Sequence, residues 1–406
     1  MQTRLWCVAV VLCCSSTSAA GQTVLSEAGA LARLSAESPR VRAIRAAIDI
    51  ARADVLAAAR WPNPRLTFDR ESVAGITEDM TMVAQTLPIT GRRGLERAAA
   101  FALLSATSSR TDDDLRRARA DLRLAFTDLL AAERRERELT RARDRLRELV
   151  GILAKREAAG DVAGFDRLRA DREVLDVEAD RVTAAVDRSR AQAALASFFA
   201  STIDSSTLAA EDTPIATPQL PAVETLVERA EAARGELVAL RHEGEAARLS
   251  EQAADRRRIP EPELIVGAKS STVRGGDLGG VVTLQASIPL FDRGRPERAL
   301  ARAKAIQADA RAEAFRVAAR SQIAAFRAIA IERRNAADQY RRAAVSNADE
   351  IERVAQVSYE AGERGILELL DAYRIGAAAR LRQAMLDAAA RQAEIELEFV
   401  SGWEIP

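Results

Sequence analysis

"SIPLFDRGRPERA" (residues 287–299) closes a run of alternating residues and opens a long charged helical pattern. The same junction occurs earlier as "QTLPITGRRGLERA" (85–98), where Pro88, Arg92, Glu96, Arg97 and Ala98 stand 201 positions before Pro289, Arg293, Glu297, Arg298 and Ala299. Proline has no N–H to give a strand ladder, so each copy predicts a strand that stops and a helix that starts. Two such junctions predict a chain built twice on one plan.

Downstream of Arg92 the pattern is helical for about 66 residues, roughly 100 Å of rod at 1.5 Å per residue. Leu115, Leu122 and Leu129 recur every seven residues with Ala118, Ala125 and Ala132 between them; Leu139, Leu146 and Leu153 resume the spacing after a phase slip. That is a coiled-coil seam, and its alanines let helices approach closely. The pattern breaks at "AAGDVAG" (158–164) and resumes from Phe165 to about Ala200, as a helical hairpin does. Upstream, a helix expected from about Leu25 to Arg60 ends at "WPNP", followed by extended runs at about 65–73 and 80–89 around a glycine-containing turn.

The second half predicts the same order. A helix from about Val223 to Arg258 ends at "IPEP" (259–262), strands follow at about 263–271 and 279–290, a second long helix reaches Ala361, and "AGERG" (361–365) turns into a last helix to about Val400. Ser, Thr and Pro cluster between the halves, so 201–221 reads as a linker between repeats at 22–200 and 222–406. Gly160 with Gly362 and Ala170 with Ala372 keep nearly the junctions' separation, which favours duplication over the chance likeness of an Ala/Arg-rich chain.

Basic and acidic residues balance at 60 each, so bulk charge marks no nucleic-acid partner. Aromatic residues make up only 4%, a composition of long helices rather than thick cores. Residues 1–21 have the layout of a cleaved secretory signal: one charge at Arg4, an apolar run from Leu5 to Cys14, then small residues. Acylation at Cys14 is the alternative. All three cysteines lie in this segment, so the exported chain is expected to carry no disulfide and no thiolate. His242 is the sole histidine and is expected on the surface, and no cofactor, metal site or catalytic set is expected. "VRGGDLGG" (273–280) lies between strands and reads as a hairpin loop rather than a phosphate cradle.

No later stretch offers the roughly 20 apolar residues of a spanning helix, so a membrane crossing would need strands. Leu66 and Phe68 share one strand face against Arg65, Thr67, Asp69 and Glu71; Val282, Leu284, Ala286 and Ile288 oppose Val281, Thr283, Gln285 and Ser287. This suits either a barrel wall with apolar residues outside or a soluble sheet with one buried face. Four strands do not close around water, whereas three chains contributing four each make a closed twelve-stranded barrel with no free edges.

"IPLFDRGR" after a strand, "YEAGERGILELLDAYR" (359–374) and the two-repeat order resemble the TolC family of outer-membrane efflux proteins, the first motif its cobalt-zinc-cadmium branch in particular. The resemblance implies a mostly α fold with a small β part. Its parts are a homotrimer with a twelve-stranded β-barrel in outer-membrane lipid and long periplasmic coiled-coil helices forming an α-barrel. It implies a passive exit duct, not an enzyme, working with a periplasmic adaptor and an inner-membrane transporter. By position, Glu368 and Asp371 match an acidic entrance ring, Asp166, Tyr359 and Arg364 a gate network, and Gly160, Asp161, Gly362 and Glu363 the adaptor-docking tips. The tips depart from the family's Val-Gly-x-x-Ser/Thr turn, since Ala precedes each glycine and "GERGI" lacks the hydroxyl. Two other functions stay open: a type I protein-secretion channel of the same fold, and a periplasmic coiled-coil scaffold without a pore.

Overall fold

A computed structural model describes residues 23–160, 164–199, 203–213, 219–273 and 276–403; the signal-peptide reading, the cysteines and Asp161 lie outside them. Two short elements open the described chain, β1 (Thr23–Leu25) and α1 (Glu27–Arg33), the latter capped by the Ser26 hydroxyl accepting from the Gly29 N–H at 3.1 Å. Then come α2 (Pro39–Ala59), strands β2 (Arg65–Val73) and β3 (Ile76–Thr86), the 68-residue α3 (Arg92–Ala159) and α4 (Gly164–Ala196). A single turn of 3-10 helix (Ser205–Thr207) leads into β4 (Leu208–Ala210). The second half runs α5 (Val223–Ala233), α6 (Gly235–Arg256), β5 (Pro262–Ser271), β6 (Asp277–Ala286), α7 (Arg295–Tyr340), a π turn (Arg341–Val345), α8 (Ser346–Glu360) and α9 (Ile366–Ser401).

Several elements depart from what the sequence predicts. The single helix expected over Leu25–Arg60 is interrupted at Ser35–Ser38, where Pro39 takes the first helical position and the Ser38 hydroxyl donates to the Phe198 carbonyl at 2.9 Å. The helix expected over Val223–Arg258 breaks at Arg234, whose buried guanidinium bonds Asp113 at 3.0 Å and the Val400 carbonyl at 3.1 Å. The stretch read only as linker contains β4, which pairs in parallel with β1, Thr23 opposite Leu208. The second and fourth sheet strands end at Thr86 and Ala286, short of Pro88 and Pro289.

In each half one long helix carries two shorter ones end to end. Along α3, α2 runs antiparallel from Arg93, which donates to the Ala59 carbonyl, to Asp121, which pairs with Arg40 at 2.8 Å. The far part of α3 pairs with α4 through Glu136–Arg188 and Glu157–Arg167. In the second half α6 lines the first part of α7 through Arg257–Glu297 and Arg248–Asp309, and α9 lines the rest of α7, the π turn and α8, with Arg341–Asp387 and Arg380–Asp349 at the latter two.

The cores repeat with the elements. Leu122, Leu129 and Leu195 are enclosed in the first half, and Ile323, Ala330 and Leu397 in the second. Leu122 and Leu129 stand 201 positions before their counterparts, Leu195 stands 202 before its own, and Gly160 and Gly362 also differ by 202. The second repeat has therefore gained one residue between Ala330 and Gly362, the interval that holds the π turn. A wide turn inside an α-helix is how one added residue is absorbed without breaking the rod.

The halves meet at a waist where side chains of opposite charge are enclosed together. Arg123 on α3 bonds Glu27 on α1 and Glu398 on α9; Arg391 on α9 bonds Glu27 at 3.0 Å and Glu394 at 3.2 Å; Arg334 on α7 bonds Glu394. Three arginines and three glutamates thus link four helices with no net charge, the condition under which burying ions is tolerable.

Candidate functional site: the sheet and the helical tip

The strands order as β2-β3-β5-β6, each antiparallel to its neighbour, joining the two repeats in one sheet. They hold 9, 11, 10 and 10 residues, the length of strand that crosses a bilayer at a tilt. The β2–β3 hairpin turns on Ala74 and Gly75, both left-handed, as a two-residue turn between twisted strands requires.

The register sorts the side chains. Leu66 opposes Val83, Val83 opposes Val266, Val266 opposes Val282 and Leu264 opposes Leu284, so these and Phe68 and Leu278 share one face. Among the described residues no helix packs extensively over that face, and its large side chains stand exposed, Leu284 at 70% and Leu278 at 80%. Near the hairpin end it carries one ion pair, Arg70–Asp79 at 2.5 Å. The opposite face holds Thr67, Asp69, Glu71 and Thr283 with Met80, Met82 and Ile265. There Glu263 accepts from Arg65 at 3.1 Å and from Gln285 at 2.6 Å, and Lys269 pairs with Glu78 at 2.6 Å. Polar groups satisfy one another on one face, and apolar groups on the other lack cover. β2 and β6 are edges, and because all neighbours alternate, they run in opposite directions.

Each exit from the sheet repeats in detail. The Ile89 N–H bonds the Leu87 carbonyl and the Leu290 N–H bonds that of Ile288, both at 2.9 Å, so the chain turns tightly around each proline. Gly91 and Gly294 then adopt left-handed φ of 74° and 70° to start the long helices. These glycines are 203 apart while the prolines are 201 apart, so the second exit is two residues longer.

At the far end, α3 stops at Gly160 with φ of 83°, and Gly362 follows α8 with φ of 75°. Leu146, Leu149, Leu153, Ala170, Ala355, Tyr359, Ile366 and Leu369 pack together, uniting both hairpins. Tyr359 is only 9% exposed; its hydroxyl accepts from Arg156 at 3.4 Å and its ring lies 5.5 Å from that guanidinium. Arg156 belongs to the last turn of α3 and was not singled out in the sequence, where "AKREAAG" offers only a basic residue before a cap. Just above, Glu352 is buried between Arg145 on α3 and Arg380 on α9. Gly376 makes room for it, since a β-carbon there would overlap the Glu352 carboxylate.

Of the expected gate residues, Asp166 is half-buried and Arg364 exposed, and within the protomer no hydrogen bond joins Asp166, Tyr359 and Arg364. Glu368 and Asp371 are exposed on the first turns of α9, Asp371 bonding Arg374 at 2.6 Å. Asp166 and Glu368 stand 202 apart, so the repeats place a carboxylate at the same position of α4 and α9. Gly160 and the exposed Gly362 and Glu363 form the ends of the two hairpins. Tyr373 is half-buried among these helices, and burial pushes its hydroxyl pKa above the ordinary tyrosine value.

Comparison with known proteins agrees with this geometry. Residues 226–402 match the family model described as "Outer membrane efflux protein". No curated protein matches the chain. Among solved structures, a membrane protein from Pseudomonas aeruginosa superposes with a TM-score of 0.75 at 20% identity, over 93% of each chain. The outer membrane protein VceC from Vibrio cholerae gives 0.73 at 17%, over 93% of this chain and 96% of its own. The Campylobacter jejuni CmeC outer membrane channel gives 0.76 at 12%, over 92% and 84%. The chain has the TolC-like fold, and its second half carries the outer membrane efflux pattern.

Proposed function

We propose that three copies of this chain form an outer-membrane exit duct for efflux, four strands from each closing a twelve-stranded barrel above a periplasmic helical barrel. The observation that carries this reading is the sheet: strands of bilayer length, an uncovered apolar face, a paired polar face and two open edges of opposite direction. An edge β2 beside an edge β6 of the next copy continues the antiparallel order, and closure removes the unpaired groups that lipid does not tolerate. Among the described residues no helix is long and apolar enough to cross a membrane, so the strands carry the crossing.

The two repeats, 22–200 and 222–406 around 201–221, each supply one pair of strands and one helical hairpin. Around a threefold axis, Glu368 and Asp371 from each copy, with Asp166 at the matching place, ring the entrance with carboxylates that favour cations, heavy-metal ions among them. Gly160, Asp161, Gly362 and Glu363 form the end that meets the periplasmic adaptor, which an inner-membrane transporter feeds. Asp166 and Arg364 bond across the closed tip beside Tyr359, and Arg156 fixes the tyrosine. In planar bilayers the purified protein is expected to give discrete conductance steps, and D166A and R364A larger ones. Absence of steps sinks the duct; unchanged steps in both variants sink the gate.

A further inference from the structure

The end of the sheet that meets the helices presents a belt of apolar and cationic side chains that the duct reading leaves unused. Phe291, in the two residues by which the second exit is longer, is 97% exposed, and Ile288 and Leu290 stand exposed beside it. Just ahead of the strands β2 and β5 the exposed Trp61 and Ile259 occupy the same position of "WPNP" and "IPEP". The Arg93 guanidinium lies 5.0 Å from the Trp61 ring.

Charge at this level is sorted unevenly. Glu261 and Glu263 are engaged by Arg92 and Arg65, Asp255 by Arg298, and Glu297 by Arg257. The Asp292 carboxylate accepts from the Gly294 N–H at 3.1 Å. Arg60, Arg256, Arg293 and Arg295 remain exposed, with no acidic partner among the described residues.

We propose that this belt binds the headgroups of anionic phospholipids in the leaflet on the helical side of the membrane, the four arginines taking the phosphates while Trp61, Leu290 and Phe291 enter the upper acyl region. The inference rests on the sheet being a barrel wall. Two features select this occupant: the belt adjoins the end of the sheet whose apolar face is uncovered, and its arginines, without acidic partners among the described residues, complement phosphate. A planar aromatic ring beside a guanidinium also suits the boundary between hydrocarbon and headgroup. Basic residues at an anionic membrane surface contribute about 1 kcal/mol each, roughly a fivefold change in affinity per arginine.

Two experiments on the full chain test this. Native mass spectrometry of the detergent-solubilised protein, titrated with phosphatidylglycerol or phosphatidylethanolamine, should show preferential retention of the anionic lipid. The R60Q/R256Q/R293Q/R295Q variant should lose most of that preference and keep its conductance. Equal retention of both lipids by the unaltered protein, or unchanged preference in the variant, overturns the proposal. Separately, W6F/W403F leaves Trp61 as the only tryptophan. In vesicles, lipid brominated near the headgroup should quench it more than lipid brominated at the acyl terminus. Quenching by aqueous iodide alone, with conductance intact, overturns the belt and leaves the duct standing; loss of both conductance and lipid quenching overturns the two together.

Discussion

Leu284 and Leu122 are one residue type in opposite surroundings: the first lies 70% exposed on the sheet, and the second is fully enclosed by α3 and its neighbours at the waist. The ionic residues are reversed in the same way. At the waist the buried Glu398 is held by the half-buried Arg123, while Glu263 and Arg65 pair on the open polar face of the sheet. The waist is folded for water, with apolar groups inside and its charges mutually neutralised; the sheet, under the proposed barrel, is arranged for a solvent that dissolves leucine. Stability of the two regions should therefore answer to different perturbations.

The sharpest contrast comes from Arg123→Met. It leaves Glu398 enclosed with only Arg391 nearby, at 4.0 Å, and is expected to cost roughly 3 kcal/mol, at the lower end for a broken buried pair. Urea unfolding followed by helical circular dichroism measures this, and a loss below about 1 kcal/mol contradicts the cluster's role. Next, Leu122→Ala should destabilise the rods by about 2–5 kcal/mol in the same assay. Leu284→Arg should leave helicity intact in detergent while costing about 2–4 kcal/mol of insertion at mid-membrane, read as loss of protein resistant to carbonate extraction. Equal behaviour of the two leucine variants breaks the comparison.

The smallest effect concerns Asp212, which follows β4. Its hydrogen bond to Arg134 holds its carboxyl below the ordinary aspartate value, against some desolvation. A lowered folded-state value means stability present above the unfolded value, near pH ~3.9, and lost as pH falls through the folded one. The carboxylate is 39% exposed, so solvent screening keeps the contribution under about 1 kcal/mol. Asp212→Asn should lower the melting temperature by a degree or two at neutral pH and erase part of the drop seen on acidification; an acid-induced drop as large as in the unaltered protein rules this tie out.

Local chemistry made much of the fold legible. Pro88 and Pro289 mark strand exits because a missing N–H acts where it stands, and the leucine heptads mark α3 because periodicity needs no partner. Ser38-Pro39 carried a helix-start signal that the continuous apolar pattern around it obscured. The break at Arg234 had no such signal: it depends on Asp113, Phe315 and Phe399, residues remote in the chain whose carboxylate and rings hold the guanidinium. The Arg156–Tyr359 contact was hidden for the same reason, joining positions 203 apart. The uncovered face of the sheet was visible only as alternation; whether anything covers it is a property of the folded chain.

The π turn at Arg341–Val345 has a rotational consequence. Each residue of an α-helix advances the side-chain direction by about 100°, so one added residue in a regular rod would have swung everything beyond it by more than a quarter of a circle. Ala355 and Tyr359 would then face away from α9, and the buried Glu352 away from the space left by Gly376. By widening one turn, the second repeat keeps the compass bearing of its tip aligned with that of the first. The helical end of the molecule retains its twofold likeness although its two halves no longer have the same length.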